Sequence, residues 1–487
     1  MKKVLTLIAV TFYVILIAIN CSNETEKQNA PVYLNHHDTV KYVGITVCRG
    51  CHNKVYEDFI HTGMGQSFDI ASRQKSAASF GEDALVYDEY SDLYYKPFWQ
   101  DDSLMIMEFR LKDGDTIHKR IERISYIIGS GQHTNSHIIN FHGYLYQAPI
   151  TWYTQRGVWD LAPGFEGGNN SRFSRIIGLE CMTCHNAYPD FEAGSENKYI
   201  SVKTGIDCER CHGPGELHVK EKREGNIIDT SKYIDHTIVN PAKLPIALQM
   251  SLCKRCHLQG IAVVQDGKSF RDFKPGMDLA AVMNVFMPGF VGADDEFIMA
   301  SHVERLMQSQ CFKQSKKISC ITCHNPHVSV KFTESAIFNN TCISCHGIRK
   351  MGNGKWEMGN GKSGIHNGCT APYNVRKMEN NNCVTCHMPK STSIDIPHVS
   401  ITDHKIQIPI SEKTISKIKE FIGLVCLTNE NPSHNTIAKG YLAYYEKFGF
   451  NPLALDSAEK YLLMENGKWE MGNGKWEMGN GKWEMGN

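Results

Sequence analysis

The chain has 487 residues, enough for about two to four domains, and its 52 lysines and arginines equal its 52 aspartates and glutamates. This balance provides no broad basic surface, so nucleic acid is excluded as an expected partner. The 18 cysteines and 22 histidines are more informative. So many cysteines in one chain indicate that most of them have a covalent role.

Residues 1–21 are predicted to be an export signal. Lys2 and Lys3 precede an almost wholly apolar run, VLTLIAVTFYVILIAI, at residues 4–19, and a positive start before an apolar core is typical of a secretory signal. Cys21 follows, which predicts a lipoprotein with an acylated Cys21 as its first mature residue. An uncleaved membrane anchor and an ordinary cleaved signal are the open alternatives. Each of them predicts export to the periplasm or the cell surface, with residues 22–41 as a polar linker.

Fourteen cysteines form seven C-x-x-C pairs, and a histidine directly follows each pair. Zinc ribbons and redox C-x-x-C pairs do not need that histidine, whereas covalent haem c attachment does. In that chemistry the two thiols bind one edge of the haem, and the histidine gives its imidazole nitrogen to the iron. The sequence therefore predicts seven covalent haem c groups, at sites that we number 1 to 7 in chain order. The predicted residues are Cys48, Cys51 and His52; Cys181, Cys184 and His185; Cys208, Cys211 and His212; Cys253, Cys256 and His257; Cys320, Cys323 and His324; Cys342, Cys345 and His346; and Cys383, Cys386 and His387.

The second face of each iron needs its own ligand or stays open. With seven histidines in the motifs, 15 of the 22 remain for those faces. A second imidazole gives low-spin iron suited to electron transfer, whereas an open face can bind a small molecule. The pairing of these distal ligands with sites is not predicted from the sequence. The predicted distal ligands are His61, with Met64 as its weaker rival, His133, His137, His218, His302, His327, His398 and His404.

The predicted fold is mainly α with extensive loops, and its core is packed with haem over residues 42–411. Between sites 1 and 2 we predict a β-hairpin-rich insert at about residues 83–160. Apolar and polar residues alternate there in two segments on either side of two aspartates, DLYYKPFWQ and SLMIMEFRLK. A later segment, FHGYLYQAPITWY, is typical of a second, aromatic hairpin. The motifs of sites 2 to 7 lie too close together in the chain to belong to independent domains, which predicts one connected haem unit.

Residues 412–465 change in character. SEKTISKIKEFIGLV, TIAKGYLAYYEKFG and PLALDSAEKYLL carry apolar residues at helical spacing, which predicts C-terminal helices. They are either the start of a tetratricopeptide-like array or a plain helical cap on the haem unit. Residues 466–487 are low-complexity repeats of GKWEMGN, which also occurs once at 354–360.

Several segments resemble a known family. VGITVCRGCH, ECMTCHNAYPDF, GIDCERCHGPGELHV and CITCHNPH look like the multihaem cytochromes of the cytochrome c-552/c-554 type, which group with hydroxylamine oxidoreductase and pentahaem nitrite reductase. The resemblance covers residues 42 to about 408. It implies a periplasmic or cell-surface electron carrier, and in some members a reductase or oxidase of small nitrogen or sulfur compounds.

Two departures limit what this resemblance implies. Pentahaem nitrite reductases use a C-x-x-C-K motif, and every pair here ends in histidine. Hydroxylamine oxidoreductases cross-link a tyrosine to one haem, and no motif ties Tyr441, Tyr444 or Tyr445 to a site. The catalytic roles of those enzymes are therefore not transferred.

The expected function is an exported seven-haem cytochrome that carries electrons between redox proteins of a respiratory chain and is held at the membrane by a lipid anchor. Two alternatives remain. One is an oxidoreductase that acts on nitrite, hydroxylamine or a sulfur oxyanion at one open haem, with Arg172, Arg175 and His133 as first candidates for substrate contacts. The other is a scaffold that docks a partner through the C-terminal helices.

Overall fold

The computed structural model describes residues 32–290, 300–315, 317–346, 369, 371–393, 395–409, 421–448 and 451–465, and the backbone alone at 348–350, 356–358, 476–479 and 482–485. The predicted signal with Cys21 lies outside the described residues, as does the 412–420 part of the first predicted C-terminal helix. None of the helices in the described part of the chain has the length and apolar character needed to cross a membrane.

The prediction of a mainly α fold is wrong. The chain is about 32% helical and 23% strand, and several antiparallel sheets carry the strands. The reason is that the helices around the haem motifs are short, whereas the regular structure between Phe59 and Leu179 consists of strands. The helices are α1 (Ile45–Phe59), α2 (Leu179–His185), α3 (Glu209–His212), α4 (Glu216–Arg223), α5 (Ile246–His257), α6 (His302–Gln308), α7 (Gln310–Gln314), α8 (Cys320–Cys323), α9 (Ser335–His346), α10 (Tyr373–Met378), α11 (Cys383–His387), α12 (His434–Phe448) and α13 (Pro452–Glu465).

The strands fall into three regions: the insert, the centre of the haem unit, and the C-terminal part. They are β1 (Phe68–Ile70), β2 (Val86–Asp88), β3 (Leu93–Gln100), β4 (Ser103–Lys112), β5 (Asp115–Arg123), β6 (Tyr126–Ile128), β7 (Thr134–Phe141), β8 (Tyr144–Tyr153), β9 (Val158–Leu161), β10 (Arg175–Ile176), β11 (Asp190–Phe191), β12 (Tyr199–Ser201), β13 (Ile261–Val264), β14 (Met283–Phe290), β15 (Ile348–Lys350), β16 (Trp356–Met358), β17 (Lys390–Thr392), β18 (Ser400–Thr402), β19 (Phe421–Cys426), β20 (Trp476–Gly479) and β21 (Lys482–Met485).

Two antiparallel sheets form the insert. One has the order β1-β6-β7-β8-β10, with β9 also paired to β8, and the other has the order β2-β3-β4-β5. Alternate residues of the strands face a common core, in which Tyr95, Leu104, Ile106, Ile127 and Ile150 are fully buried. This alternation follows from the two-residue period of a strand. The strands extend on both sides of the expected range, from residue 68 to residue 176.

Tight turns set the hairpin registers in the insert. His142 and Gly143 join β7 to β8, and both have positive φ, at 51° and 92°. Asp113 and Gly114 join β4 to β5 with φ values of 53° and 89°. Two consecutive positive φ angles are characteristic of the two-residue turn whose twist matches that of the flanking strands.

A third sheet joins the C-terminal region to the haem unit. Its order is β13-β14-β19, and α12 and α13 pack on it through a cluster that includes Phe286, Tyr441, Tyr444 and Ala454. The helix predicted over SEKTISKIKEFIGLV is wrong in its described portion, because Phe421–Cys426 is a strand. Pairing with β14 determines its conformation and outweighs the helical spacing of its apolar residues.

Candidate haem sites

A cavity of about 2240 Å³ runs through the haem unit. Sites for one small ligand have volumes of about 300–1,000 Å³, so this space can hold several large groups. Thiols and imidazoles from sites 1 to 6 line it, and Val384 of site 7 borders it. The motif residues in the lining are Cys48, Cys51, His52, Cys184, His185, Cys208, Cys211, His212, Cys253, Cys256, His257, Cys320, Cys323, His324, Cys342, Cys345 and His346.

The other chemistries of paired cysteines find no support in the described geometry. Within the described ranges, no three Cys, His, Asp or Glu side chains converge as a metal-ion site requires. The 17 cysteines of those ranges are all free thiols.

The cysteines of different motifs lie side by side and define the order of the sites in space. The Cys48 and Cys208 sulfurs of sites 1 and 3 are neighbours, as are the Cys184 and Cys256 sulfurs of sites 2 and 4. Cysteine sulfurs of sites 4 and 5 and of sites 6 and 7 are neighbours in the same way. Cysteines at greater separation connect site 3 to site 4 and site 5 to site 6. The sites thus form one continuous row, 1-3-4-5-6-7, with site 2 beside site 4.

Four motif histidines each face a second imidazole. A bond from a metal to an imidazole nitrogen is about 2 Å long, so two imidazoles on opposite sides of one metal have ring centres about 6 Å apart. The observed distances between ring centres agree with this geometry. They are 6.5 Å for His52 and His218, 6.0 Å for His212 and His327, 5.7 Å for His257 and His302, and 6.0 Å for His324 and His404.

Hydrogen bonds at Nδ1 orient several of these rings. His212 Nδ1 lies 2.7 Å from the carbonyl oxygen of Val239, and His404 Nδ1 lies 3.0 Å from that of Thr402. His387 of site 7 makes the same kind of contact, at 2.9 Å, with the carbonyl of Gln407. A carbonyl can only accept, so Nδ1 carries the proton and Nε2 stays available as a metal ligand.

Charged and hydroxyl side chains orient His218. Its Nδ1 is 3.2 Å from Thr237 Oγ1 and 3.3 Å from Asp235 Oδ2. Lys222 Nζ lies 2.9 Å from the same Asp235 oxygen. A carboxylate behind a ligating imidazole fixes its tautomer and increases its basicity. Site 1 therefore has an acidic residue behind the imidazole that faces its motif histidine.

Burial keeps the imidazoles of the cavity neutral, which is the form that binds a metal. Loss of solvation lowers the pKa of both His185 and His404 to about 4. It also lowers the pKa of His212, His302 and His327. The cavity, the imidazole pairs and the oriented rings all fit covalent haem at these motifs.

Three of the predicted distal ligands face no motif imidazole within the described part of the chain. His61 is exposed, although Thr62, Gly63 and Met64 beside it line the cavity. His137 is fully buried in the insert, where its ring stacks on Trp159 at 5.0 Å. His398 Nε2 is 2.7 Å from Asp160 Oδ2. Their role as ligands stays a prediction.

His133 differs from those three because it lines the cavity, with Nδ1 3.2 Å from Gln155 Nε2. The two arginines considered as substrate contacts lie outside the cavity lining. Arg172 pairs with the buried Glu108 of the insert, and the guanidinium of Arg175 lies 3.8 Å from the centre of the Phe165 ring. Of the three candidate substrate contacts, only His133 faces the haem space.

His185, His346 and His387 lack a facing imidazole within the described part of the chain. His185 is the most enclosed of them. The connection between β6 and β7 contributes three polar residues to the lining of the same cavity: Ser130, Gln132 and His133.

Sequence reasoning missed the residues that orient the ligands. Asp235 and Thr237 lie behind His218, and a buried ion pair joins Arg305 to Asp403 beside His302 and His404. The direct sequence signal was small: Arg305 is one helical turn after His302, and Asp403 directly precedes His404.

Known proteins were compared with the chain. A protein-family model described as "Cytochrome c554 and c-prime" matches residues 170–213, which contain sites 2 and 3. The multiheme cytochrome MtrA of Shewanella baltica (strain OS185) is 26% identical over 193 residues, covering 36% of this chain and 54% of that protein. The chain thus matches about half the length of this curated relative.

Two solved structures share weaker similarity, each at 15% sequence identity. The outer cell wall cytochrome OcwA has a TM-score of 0.42, over 75% of this chain and 79% of that chain. An undecaheme cytochrome from the S-layer of Carboxydothermus ferrireducens has a TM-score of 0.35, over 87% of this chain and 70% of that chain. Similarity at these scores determines neither the fold nor the function of this chain.

The family model and the curated relative agree with the sequence motifs and with the resemblance drawn from them. Both are cytochromes by description, and the matched segment contains two of the C-x-x-C-H motifs. The motifs predict covalent haem c, and the paired imidazoles of the cavity fit it. These observations identify the chain as a multihaem c-type cytochrome.

Proposed function

We propose that the chain is an exported cytochrome with seven covalent haems that carries electrons between redox proteins of a respiratory chain. The observation that carries the proposal is the set of four imidazole pairs, at sites 1, 3, 4 and 5, with ring centres 5.7–6.5 Å apart. Bound haem supplies an iron that gains or loses one electron within a fixed set of ligands. Imidazoles on both faces leave no room for a substrate, which favours transfer over chemistry at these four sites.

The row of sites supports the same function. The cysteine sulfurs of consecutive sites are neighbours in space, in the order 1, 3, 4, 5, 6 and 7. Groups attached to them would lie in succession through one cavity, with site 1 at one end and site 7 at the other. Two ends on one row suit a protein that accepts electrons from one partner and passes them to another.

Export and lipid attachment belong to this proposal. The apolar run at residues 4–19 and Cys21 support a lipoprotein at the periplasmic or cell-surface side of a membrane. Mass spectrometry of the mature N-terminal peptide tests this part by itself. An acylated Cys21 supports it, and an N-terminus at another residue contradicts the lipid anchor but not the haem sites.

The mass and redox behaviour of the full mature protein test the central proposal. We expect a mass increased by seven haem groups, and ferric spectra dominated by low-spin iron. We also expect the reduced protein to be reoxidised by a soluble redox protein without net turnover of nitrite, hydroxylamine or sulfite. A chain without bound haem, or one with mainly high-spin iron, contradicts the proposal.

A second candidate function is oxidoreductase chemistry at site 2. It is favoured by one observation: in the described ranges His185 faces no imidazole, while Ser130, Gln132 and His133 line the same cavity. Nitrite and hydroxylamine are then the first ligands to test by optical titration of the oxidised protein. A spectral change equivalent to one haem, lost in His133→Ala, favours this function, and no change with either ligand contradicts it.

A further inference from the structure

We infer that the buried ion pair between Arg305 and Asp403 positions the distal imidazoles of two adjacent haem sites, His302 at site 4 and His404 at site 5. This inference rests on the ligand pairs of the proposed function. Arg305 and Asp403 are positioning residues, since they act through the two histidines beside them in the chain.

The contact between the two side chains is bidentate and buried. Arg305 Nε lies 2.9 Å from Asp403 Oδ1, and Arg305 Nη2 lies 2.6 Å from Oδ2. The side chains are 0% and 2% exposed. The planar guanidinium matches both oxygens of a carboxylate, so this geometry fixes orientation as well as distance. It joins two segments that are 98 positions apart in the chain.

Each partner of the ion pair is tied directly to a predicted ligand. Arg305 lies three residues after His302 in α6, so the two share one face of the helix. Asp403 directly precedes His404. The ring centres of His302 and His404 are 4.8 Å apart, at an angle of 80°. That separation is too short for one shared metal, so the two rings serve different sites.

Further hydrogen bonds hold the segment of His404 against α6 and α7. Ser309 Oγ donates to the carbonyl oxygen of His404 at 3.1 Å and accepts from the Ile406 amide at 2.8 Å. The Lys405 amide donates to Asp403 Oδ1 at 2.9 Å. The Asp403 carboxylate therefore has two partners. It binds the guanidinium of Arg305, and it holds the backbone amide of Lys405, directly after His404.

The two sites served by this pair are neighbours. Their motif histidines are His257 and His324, and the Cys253 and Cys320 sulfurs of the same sites are neighbours. A single ion pair thus sets the ligand geometry at two consecutive positions of the row. A buried ion pair contributes little net stability compared with an apolar pair of similar volume, so geometry is the property that it adds here.

The test compares Asp403→Asn with a matched control, Glu108→Gln. Glu108 is also a fully buried carboxylate paired with an arginine, Arg172, but it lies in the insert and its arginine partner lies outside the cavity. Haem content per chain, magnetic circular dichroism and low-temperature electron paramagnetic resonance of the oxidised full-length protein are the readouts. The thermal midpoint is measured for both variants.

We expect Asp403→Asn to retain all its haem and to change two low-spin signals, either shifting them or converting them to high-spin iron. Glu108→Gln is expected to lower the thermal midpoint without changing any signal. Arg305→Lys keeps the positive charge but loses the planar guanidinium that binds both carboxylate oxygens. It is expected to change the same two signals. It also serves as the test if Asp403→Asn does not accumulate.

An Asp403→Asn or Arg305→Lys spectrum identical to that of the wild type overturns the inference, as does an equal spectral change in Glu108→Gln. These results are separate from a failure of the proposed function. That failure is a wild-type protein without low-spin iron, whatever the variants do.

Discussion

The imidazole rings of His212 and His327 lie 6.0 Å apart and are inclined by only 8°. His212 belongs to the motif of site 3, and His327 closes the CHNPH segment of site 5, so the segment of one site brings a second imidazole to the motif of another. The Nδ1 of His212 is held by the Val239 carbonyl, which turns its Nε2 toward the partner ring. Sites 3 and 5, which site 4 separates in the row, are thus connected through this imidazole pair.

Removal of the distal ring at site 3 should open one iron. In His327→Ala the imidazole that faces His212 is lost, so we expect one haem to change from low-spin to high-spin without any loss of bound haem. Magnetic circular dichroism of the oxidised protein measures the change. His61→Ala is the control, because His61 is exposed and should leave the spectrum unaltered. A high-spin signal in the control instead would assign the ligand role to His61.

The carboxylate behind His218 should set the potential of site 1. In Asp235→Asn the negative charge 3.3 Å from His218 Nδ1 is removed, so the imidazole donates less electron density and ferric iron is less stabilised. We expect one midpoint potential to rise by a small part of the ~0.8 V span that ligands and their surroundings set. A redox titration of the whole protein resolves the shift.

The control for that shift is Asp229→Asn. Asp229 is partly exposed, and its carboxylate contacts Ser231 and Lys232 rather than an imidazole. Its replacement should leave every potential in place. Equal shifts in both variants would point to a general charge effect and not to the contact with His218.

Acid should weaken the insert through His137. Burial lowers the pKa of His137 to about 4, compared with about 6.5 in an unfolded chain. Below about pH 6.5 the unfolded chain therefore takes up a proton that the folded chain does not. The resulting loss in the free energy of unfolding is on the order of 3 kcal/mol by pH 4 and is absent above pH 7.

His137→Phe keeps a ring against Trp159 and removes the titrating group. We expect its thermal midpoint, followed by circular dichroism, to fall less than that of the wild type between pH 7 and pH 4.5. His61→Phe, at an exposed histidine, should follow the wild type. If the thermal midpoints of His137→Phe and the wild type fall equally between pH 7 and pH 4.5, His137 is not the source of the acid sensitivity.

The C-terminal helices should unfold with the sheet on which they pack. Phe286 of β14 is 1% exposed and lies in the same cluster as Tyr441 and Tyr444 of α12. Phe286→Ala should lower the free energy of unfolding by about 3–5 kcal/mol and make residues 434–465 more sensitive to protease. Haem content should stay constant, since Phe286 does not line the cavity.

Val425→Ala is the control for Phe286, because Val425 lies on the neighbouring strand β19 and is 58% exposed. It should change the stability by less than about 1 kcal/mol. If Phe286→Ala leaves protease resistance intact, the helices are a separate unit. The partner-docking alternative would then be strengthened.

Strands and helices differed in how well the sequence indicated them. In the insert, alternating apolar residues and the two aspartates at 101–102 indicate strands and a turn, because both signals are local. Phe421–Cys426 was predicted as helix because its apolar residues fit a helical period, and it is a strand because β14 lies beside it. That contact is 130 or more positions away in the chain, so no local signal could reveal it.

The distal ligands show the same limit. His61 and His218 were both predicted as distal ligands without a site, and the ring that faces His52 is that of His218, from a distant part of the chain, whereas His61 is exposed. His137 and His398 were plausible by residue type, and a stacking contact and an ion pair hold them elsewhere. A histidine's chemistry is the same in all of these places, so only its neighbours distinguish a ligand from a core or surface residue.

The sequence by itself determined the covalent chemistry, because two thiols and an imidazole in five consecutive residues are brought together by the chain's own connectivity. Only the tertiary structure decided which second imidazole faces four of the motifs, which sites adjoin, and that Arg305 and Asp403 meet between two of them. Those relationships depend on contacts between distant segments, and such contacts arise from packing rather than from any local pattern of residues.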